Sequence, residues 1–300
     1  MRHGEGERLA RVVSVGRNAA WIAFEDEEVV RLAQLRKNVA RQLLVPGDLV
    51  FATPLEDERV VVERREPRSF ALERKTAGGR TKIMAANIDG IAIVAALARP
   101  APHFGMIDEL LAFAAIHDIG ARLIFTKADL ASEPAPGDVV ATYARLGYVT
   151  LLANPKARDG IAEIEREFAG HRTLLIGQSG VGKSSLFGAL GGPADVGDVS
   201  KTGRGNQTTT SGRLHRFSDG FLIDSPGVGE FEVRGCTPAQ ISLGFREFAP
   251  LVGRCRFADC VHRSEPGCAV RATVADGAIA SSRYESYRVI LARDGSERGG

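Results

Sequence analysis

The sequence predicts a chain of three domains, with a central α/β domain between a small β domain and a mainly helical, metal-binding domain. Three observations lead to this prediction. Short β-rich runs broken by turns fill residues 9–65, and strands alternate with helical segments from Ile88 onward. Four potential metal ligands then lie close together within residues 255–268. We expect the three domains to span residues 1–66, 67–230 and 231–300.

The N-terminal domain is predicted to be a five-stranded β-barrel. Its runs RVVSVG, AAWIAF, EVVRL and LVFAT are rich in β-branched and aromatic residues, and Pro46-Gly47-Asp48 is a turn signal. This length and spacing fit the OB-type barrel, a fold that often binds oligonucleotides. The alternative is a small β domain that serves packing only.

The central domain is predicted to hold a mostly parallel sheet. Residues 66–86 are polar, basic and contain glycine, so we expect a linker before it. Beyond the linker, hydrophobic strands alternate with amphipathic helices, and ligands of such sheets bind at the carboxyl ends of the strands. The predicted strands are 88–97, 121–125, 148–153, 172–177, 213–217 and 221–224, and the predicted helices are 107–120, 138–147, 161–170 and the segment after Lys183.

The segment GQSGVGKSS, from Gly177 to Ser185, matches the phosphate-binding loop G-x4-G-K-[ST] of nucleoside triphosphatases. Its glycines let backbone N–H groups surround phosphates, Lys183 places a positive charge on the outer phosphates, and the Ser184 hydroxyl would ligate Mg²⁺. A strand precedes the loop and a helix follows it, which favours this function over a chance glycine-rich turn. We expect nucleotide contacts from Gly177, Gln178, Ser179, Gly180, Val181, Gly182, Lys183, Ser184 and Ser185.

The motif TKAD, from Thr126 to Asp129, precedes the phosphate loop and is typical of guanine recognition. Asp129 would accept two hydrogen bonds from the guanine edge that adenine cannot donate, and the stem of Lys127 would pack over the base. The usual motif is NKxD, so Thr126 replaces an Asn and offers fewer hydrogen bonds, at a cost of about 1–2 kcal/mol in affinity. The predicted GTP contacts here are Thr126, Lys127, Ala128 and Asp129.

The motif DSPG, from Asp224 to Gly227, follows the phosphate loop and is predicted to sense the γ-phosphate. Asp224 ends a hydrophobic strand, where it would hold Mg²⁺ through water, and Gly227 would offer its backbone N–H to the γ-phosphate. The polar, Thr-rich segment at residues 201–212 indicates a mobile loop, in which we expect Thr209, with Thr208 next, to reach Mg²⁺. A plain flexible loop is the alternative. The order of base motif, phosphate loop and switch indicates a circularly permuted GTPase domain.

Four residues near the C-terminus have the types and spacing of a metal site. Cys255, Cys260, His262 and Cys268 supply three thiolates and one imidazole, which suit a closed tetrahedral, structural Zn²⁺ site. The alternative is a set of buried free thiols with a chance histidine. Cys236 lies outside this pattern, so we expect a core or surface thiol there.

In combination, these motifs resemble those of a known family, the circularly permuted, ribosome small-subunit-dependent GTPases of the RsgA/YjeQ-like group. The segments PRSFALERK, ANID, GRGNQTTT, DSPGVGEF and C-x4-C-x-H-x5-C occur in the order of that family, so the resemblance covers nearly the whole chain. It implies a GTP hydrolase that binds the 30S subunit and 16S rRNA, acts in late 30S assembly and is stimulated by the subunit. It also implies Mg²⁺ with GTP and one structural Zn²⁺.

The chain departs from this family just before the Thr run. The family usually has His at that position, thought to orient the attacking water, and this chain has Gln207. Since an amide orients water in other GTPases, we predict that Gln207 takes this role.

Composition limits the remaining possibilities. The chain has 300 residues, 44% hydrophobic and 25% charged, with a net charge of +2, so no strong overall field is expected. No apolar run approaches the ~18 residues of a membrane span and the N-terminus lacks a signal-peptide core, so we expect a cytoplasmic monomer without a membrane partner. Two alternatives remain open: a permuted GTPase with a different ribosomal or RNA partner, and an RNA-binding assembly factor with a degenerate nucleotide site.

Overall fold

A closed barrel, a six-stranded α/β sheet and a helical C-terminal region follow one another along the chain, which confirms the predicted fold class. The structure is a computed structural model, and it describes residues 6–16, 18–27, 29–55, 59–75, 81–131, 135–192, 213–224, 233 and 235–296. Three predicted site residues, Gln207, Thr209 and Gly227, lie outside these residues. Within the described ranges, no helix combines the length and apolar character needed to span a bilayer.

The barrel has the strand order β1-β2-β3-β5-β4, with β4 returning to pair with β1. Its closure depends on β3 and β5, which pair in parallel, whereas the other pairs are antiparallel. Inward-facing side chains such as Val12, Ile22 and Val62 are fully buried, as the alternation of a strand requires. The elements are β1 (Arg8–Val15), β2 (Ala19–Phe24), β3 (Val30–Leu35), α1 (Lys37–Ala40), β4 (Leu49–Pro54) and β5 (Val60–Arg65).

The segment expected to be a linker contains an antiparallel hairpin, so that expectation is wrong in part. Strand β6 (Ala71–Lys75) pairs with β7 (Thr81–Ala86). Leu72, Met84 and Ala85 of this hairpin are buried in the core of the α/β domain. The polar composition of residues 66–86 concealed the hairpin. Its buried positions, Leu72 in β6 and the consecutive Met84, Ala85 and Ala86 in β7, do not alternate and give a weak periodic signal.

A buried carboxylate fixes the barrel to this hairpin. Asp48 is fully buried and accepts hydrogen bonds from Arg68 Nε at 2.6 Å and Nη2 at 2.8 Å. Asn87 accepts from the Ser69 N–H at 2.9 Å and donates to the Gly47 carbonyl at 3.0 Å. The family-like segments around Arg68 and Asn87 therefore join the two domains at a single barrel turn.

The central sheet has the order β10-β9-β8-β11-β13-β12. All neighbours are parallel except the edge strand β12, and every residue of β8 is buried. Separate apolar clusters cover its two faces, as in a doubly wound sheet. The elements are β8 (Gly90–Ala96), α2 (Phe104–Ile116), β9 (Gly120–Thr126), α3 (Pro136–Arg145), β10 (Val149–Ala153), α4 (Ile161–Phe168), β11 (Arg172–Ile176), α5 (Lys183–Ala189), β12 (Arg213–Phe217) and β13 (Gly220–Asp224).

The C-terminal region is mainly helical, as expected. Its first helix ends at Gly244, where a Cβ would lie 2.9 Å from the Ala112 Cβ, so the backbone packs closely against α2. The helix α7 was not predicted. The elements are α6 (Pro238–Leu243), a 3-10 helix (Arg246–Leu251), α7 (Ala269–Ala275) and α8 (Ser281–Ser296).

A buried charged network attaches α8 to α2. Arg283 donates to Asp108 Oδ1 and to Glu247 Oε1, each at 2.7 Å, and the three side chains are 3%, 2% and 7% exposed. The hydroxyl groups of Tyr143 and Ser286 also donate to Asp108. Burial opposes the charge on Arg283, but the two carboxylates hold its pKa above the usual value. The helix that supports the Cys/His cluster is thereby fixed to the α/β domain.

Candidate nucleotide site and metal centre

Three predicted motifs meet at one edge of the central sheet. Strand β9 ends at Thr126, β11 ends at Ile176 just before the phosphate loop, and β13 ends at Asp224. These strands and β8 run parallel to one another, so their carboxyl ends lie at the same edge. The described part of the predicted nucleotide site is therefore brought together where ligands of such sheets bind.

The phosphate loop has the geometry that its glycines require. A Cβ on Gly177 would lie 2.1 Å from the Val94 carbonyl oxygen, and Gly182 has a φ of +101°, which disfavours any side chain. Lys183 is 6% exposed and folds back over the loop, donating to the Gly177 and Gln178 carbonyls at 2.9 and 2.6 Å. Burial lowers the pKa of Lys183, while the nearby Asp224 carboxylate opposes this shift.

The side chains of Ser184 and Asp224 contact each other beside the loop. The Ser184 hydroxyl donates to Asp224 Oδ2 at 3.4 Å, and Asp224 Oδ1 is buried without a hydrogen-bond partner among the described residues. Burial raises the pKa of Asp224, and Lys183 and Ser184 act in the opposite direction. Because a buried carboxylate oxygen needs a partner, these residues fit a hydrated Mg²⁺.

The base motif contacts the phosphate loop with its first two residues. The Thr126 hydroxyl donates to the Val181 carbonyl at 2.5 Å, and Lys127 Nζ donates to the Gly180 carbonyl at 2.7 Å. Asp129, in a short 3-10 helix after β9, has an exposed side chain. Sequence reasoning assigned the Thr126 hydroxyl to the base, whereas in the structure it is engaged by the phosphate loop.

A loop that sequence reasoning missed lies beside the base motif. Strand β10 pairs with β9, with Ala153 opposite Thr126, so the turn from Asn154 to Gly160 lies at the same edge. Asn154 and Asp159 exchange two backbone hydrogen bonds, which close this turn. The signal for this turn in the sequence was its position, directly after the carboxyl end of a strand of the parallel sheet.

The four predicted metal ligands converge. The Sγ atoms of Cys255, Cys260 and Cys268 lie 3.5, 3.5 and 3.4 Å from His262 Nδ1, and Cys255 Sγ lies 4.0 Å from Cys268 Sγ. In a tetrahedral Zn²⁺ site, neighbouring ligand atoms are about 3.6–3.8 Å apart. All four ligand atoms lie within 4.8 Å of one another, so the cluster fits a closed, structural Zn²⁺ site.

The surrounding groups position the ligands. Glu265 accepts from the N–H groups of Val261, Arg263 and Ser264 at 2.8–2.9 Å and so closes the turn that carries His262. Burial disfavours this carboxylate, but the backbone N–H groups of Glu265 itself and of these three residues outweigh it and lower its pKa to about 2. The hydroxyl groups of two tyrosines on α8, Tyr284 and Tyr287, donate to carbonyls of the same turn. Cys236 is buried elsewhere and is not part of the cluster.

The solved structures that resemble this chain span nearly its full length. The crystal structure of YjeQ from Thermotoga maritima has a TM-score of 0.75 and 29% identity, covering 96% of this chain and 98% of that one. The structure of YloQ, described as a circularly permuted GTPase, has a TM-score of 0.73 and covers 99% of both chains. At 23% identity, the second supports the fold alone.

Sequence relatives agree with the structural comparison. A relative from Pseudomonas syringae pv. tomato, named small ribosomal subunit biogenesis GTPase RsgA, is 39% identical over 90% of this chain and 80% of its own length. A relative with the same name from Moorella thermoacetica is 36% identical over 89% of this chain and 91% of its own. Residues 65–234, more than half of the chain, match the family described as RsgA GTPase, and the chain therefore belongs to that family of circularly permuted GTPases.

Proposed function

We propose that the protein hydrolyses GTP and acts in the biogenesis of the small ribosomal subunit. The observation that carries this proposal is the convergence of Thr126–Asp129, the phosphate loop and Asp224 at one sheet edge, in a chain whose relatives are named small ribosomal subunit biogenesis GTPases. In this proposal the chain has three domains: a barrel at residues 1–66, a GTPase domain at 67–230 and a zinc-binding region at 231–300. The hairpin β6–β7, packed in the core of the α/β domain, supports the first boundary.

Hydrolysis would proceed by in-line attack of water on the γ-phosphate. Lys183, released from the Gly177 and Gln178 carbonyls, stabilises the charge that develops on the outer phosphate oxygens. Ser184 would hold Mg²⁺ directly and Asp224 through water. The ion, when bound, neutralises charge on the phosphates. Asp129 selects guanine by accepting hydrogen bonds from its edge.

Three residues outside the described part complete this assignment on the basis of sequence. Gln207 orients the attacking water, Thr209 reaches the metal and Gly227 donates its N–H to the γ-phosphate. Gln207→Ala should lower subunit-stimulated turnover without weakening GDP binding, while Glu163→Ala, on the exposed face of α4, should leave both unchanged. Unchanged stimulated turnover in Gln207→Ala would remove Gln207 from this role.

The partner surface combines the barrel with the arginines around the metal loop. Arg254, Arg256 and Arg263 are exposed there, and guanidinium groups contact RNA phosphates independently of sequence. We assign to these surfaces the contact with 16S rRNA in the 30S subunit. The protein acts as a cytoplasmic monomer in this proposal.

Phosphate release from GTP, measured with and without 30S subunits, tests the activity. We expect slow release from the protein alone, strong stimulation by 30S and little release from ATP. Absence of release in every condition would leave an RNA-binding factor with a degenerate site. Sedimentation with 30S, 50S and 70S particles in a non-hydrolysable GTP analogue tests the partner, and preferential binding to 50S would favour the other permuted-GTPase function.

A further inference from the structure

The barrel contacts the hairpin β12–β13 at the edge of the central sheet. Arg216, on β12, donates from Nη1 to the Glu27 carbonyl at 2.8 Å and from Nη2 to the Glu25 carbonyl at 3.2 Å. Both carbonyls belong to the connection between the barrel strands β2 and β3. One guanidinium group therefore joins the α/β domain to residues of the barrel that lie 189 and 191 positions away in sequence.

A second contact between the barrel and this hairpin lies beside the first. Phe221, on β13, pairs with Arg216 in the hairpin register and is 8% exposed. The guanidinium carbon of Arg11, on barrel strand β1, lies 4.6 Å from the centre of the Phe221 ring, and that of Arg216 lies 5.9 Å from it. Arg11 is buried and also donates to the Glu25 carboxylate at 3.1 Å. Because cation–π contacts are stronger where water is excluded, the barrel is held on both strands of the hairpin.

The same hairpin leads to the nucleotide site. Asp224 ends β13 three residues after Phe221, a distance of about 10 Å along a strand. Arg213, which pairs with Asp224, begins β12 directly after residues 201–212, the segment that carries Thr209. Both strands are therefore attached to the barrel at one end and lead to predicted Mg²⁺ ligands at the other.

Between these two ends the hairpin is a packed part of the sheet. Leu214 and Ile223 are buried in the apolar cluster on one face, and Leu222 is buried in the cluster on the other. Since close-packed strands transmit strain, a displacement at the barrel contact would reach Asp224. Arg216 itself is exposed, so its contact can be removed without disturbing this packing.

We propose that Arg216 is a positioning residue for subunit-stimulated hydrolysis, which holds the barrel on the hairpin and so couples docking of the barrel on the subunit to the nucleotide site. This inference rests on the proposed function, since the subunit is the partner assigned to the barrel. The subunit accelerates hydrolysis by this route because the docked barrel favours one position of the hairpin. Nucleotide binding without the subunit does not depend on the contact.

The test separates the response to the subunit from binding of the subunit. Phosphate release from GTP is measured over a range of 30S concentrations, which gives a basal rate, a half-saturating concentration and a maximal rate. Arg216→Met removes both donors and retains an apolar stem beside Phe221. We expect its maximal rate to fall about tenfold, while the basal rate, the half-saturating concentration and the GDP affinity stay within about twofold of the native values.

Three further variants sharpen the test. Arg166→Met is the matched control, since this exposed arginine on α4 donates to the Ala162 carbonyl of its own helix, and the variant should be stimulated like the native protein. Arg216→Lys keeps the charge but loses the geometry that reaches two carbonyls, so its maximal rate should also fall. Phe221→Leu changes the same contact from its buried side. Combined with Arg216→Met, it should lower the maximal rate no more than about tenfold, because both changes break one route.

The outcomes are distinct. An unchanged maximal rate in Arg216→Met, with a lowered thermal midpoint only, would reduce the contact to packing and overturn the proposal. A raised half-saturating concentration with a native maximal rate would make Arg216 a subunit-binding residue and would also overturn it. A native maximal rate in Arg216→Lys would assign the effect to charge rather than to the held barrel, with the same consequence. A native protein that the subunit does not stimulate would instead reject the proposed function itself.

Discussion

The metal centre and the nucleotide site are built from the chain in opposite ways. The four metal ligands lie within residues 255–268, and one turn closed by Glu265 presents His262 among them. The nucleotide site instead collects side chains from Thr126 to Asp224, carried by strand ends that meet only in the folded sheet. A site whose residues are close in sequence can therefore be predicted together with its geometry. A site whose residues are far apart in sequence can be predicted only as a set of residues.

The two sites also differ in what holds them. In the metal centre, the ligand atoms of three thiols and an imidazole lie within 4.8 Å of one another, a grouping that Zn²⁺ binding stabilises strongly. In the nucleotide site, hydrogen bonds within the protein, such as those donated by Thr126 and Lys183, hold the phosphate loop without a ligand. We therefore expect substitutions in the metal centre to lower the stability of the fold, and substitutions in the nucleotide site to lower nucleotide affinity.

The largest effect is expected from Cys268→Ser. A serine hydroxyl is a poor Zn²⁺ ligand, and structural Zn²⁺ contributes about 10–16 kcal/mol to the folding of small zinc domains, so the variant should lose the metal and the C-terminal fold. Metal analysis of the purified protein should give near one equivalent of zinc for the native chain and almost none for the variant. Cys236→Ser, outside the cluster, should keep its zinc. One equivalent of zinc in Cys268→Ser would contradict the assignment.

Arg283→Met tests whether the metal centre and the nucleotide site are separate. It leaves Asp108 and Glu247 buried without their cation, which should lower the free energy of unfolding by about 3–5 kcal/mol. Arg288, on the same helix, pairs with Glu285 at an exposed site, so Arg288→Met should cost less than about 0.5 kcal/mol. Urea denaturation measures both variants.

Nucleotide affinity in Arg283→Met completes this comparison. If the sites are separate, the GDP dissociation constant should stay within about twofold of the native value while the protein remains folded. A large rise in that constant would show that the metal centre and the nucleotide site are coupled through α8 and α2.

The contrast between the sites also explains what the sequence predicts. The metal ligands, the phosphate loop and the strands around them follow from residue types at fixed spacing, and the structure confirms their convergence. The contact of Thr126 with Val181 joins residues 55 positions apart, and no local pattern encodes it. The turn after β10 escaped for the same reason, since its place beside the base motif follows from the pairing of β10 with β9.

Lys183→Met should weaken nucleotide binding about a hundredfold without loss of stability. The change removes the charge from the outer phosphates. Lys183 donates its hydrogen bonds to neutral carbonyls and interacts with Asp224 only through space, so no carboxylate loses a hydrogen-bonded partner. Fluorescence titration with a labelled GDP measures the loss. Lys37→Met, on the exposed surface of the barrel, is the matched control and should bind GDP as the native protein does. A stability loss as large as that of Arg283→Met would contradict the distinction between the two sites.

The smallest effect is expected from Glu265→Gln. The carboxylate accepts three backbone N–H bonds in the turn that carries His262, and an amide replaces one acceptor oxygen with a donor. The turn should loosen, and zinc affinity should fall about fivefold, which corresponds to about 1 kcal/mol. Glu285→Gln, at an exposed surface pair, is the control. Competition with a chromogenic chelator at neutral pH measures both. Equal zinc affinity in the two variants would mean that the four ligands set the geometry of the metal centre without help from Glu265. The metal centre would then differ from the nucleotide site, where hydrogen bonds within the protein hold the loop.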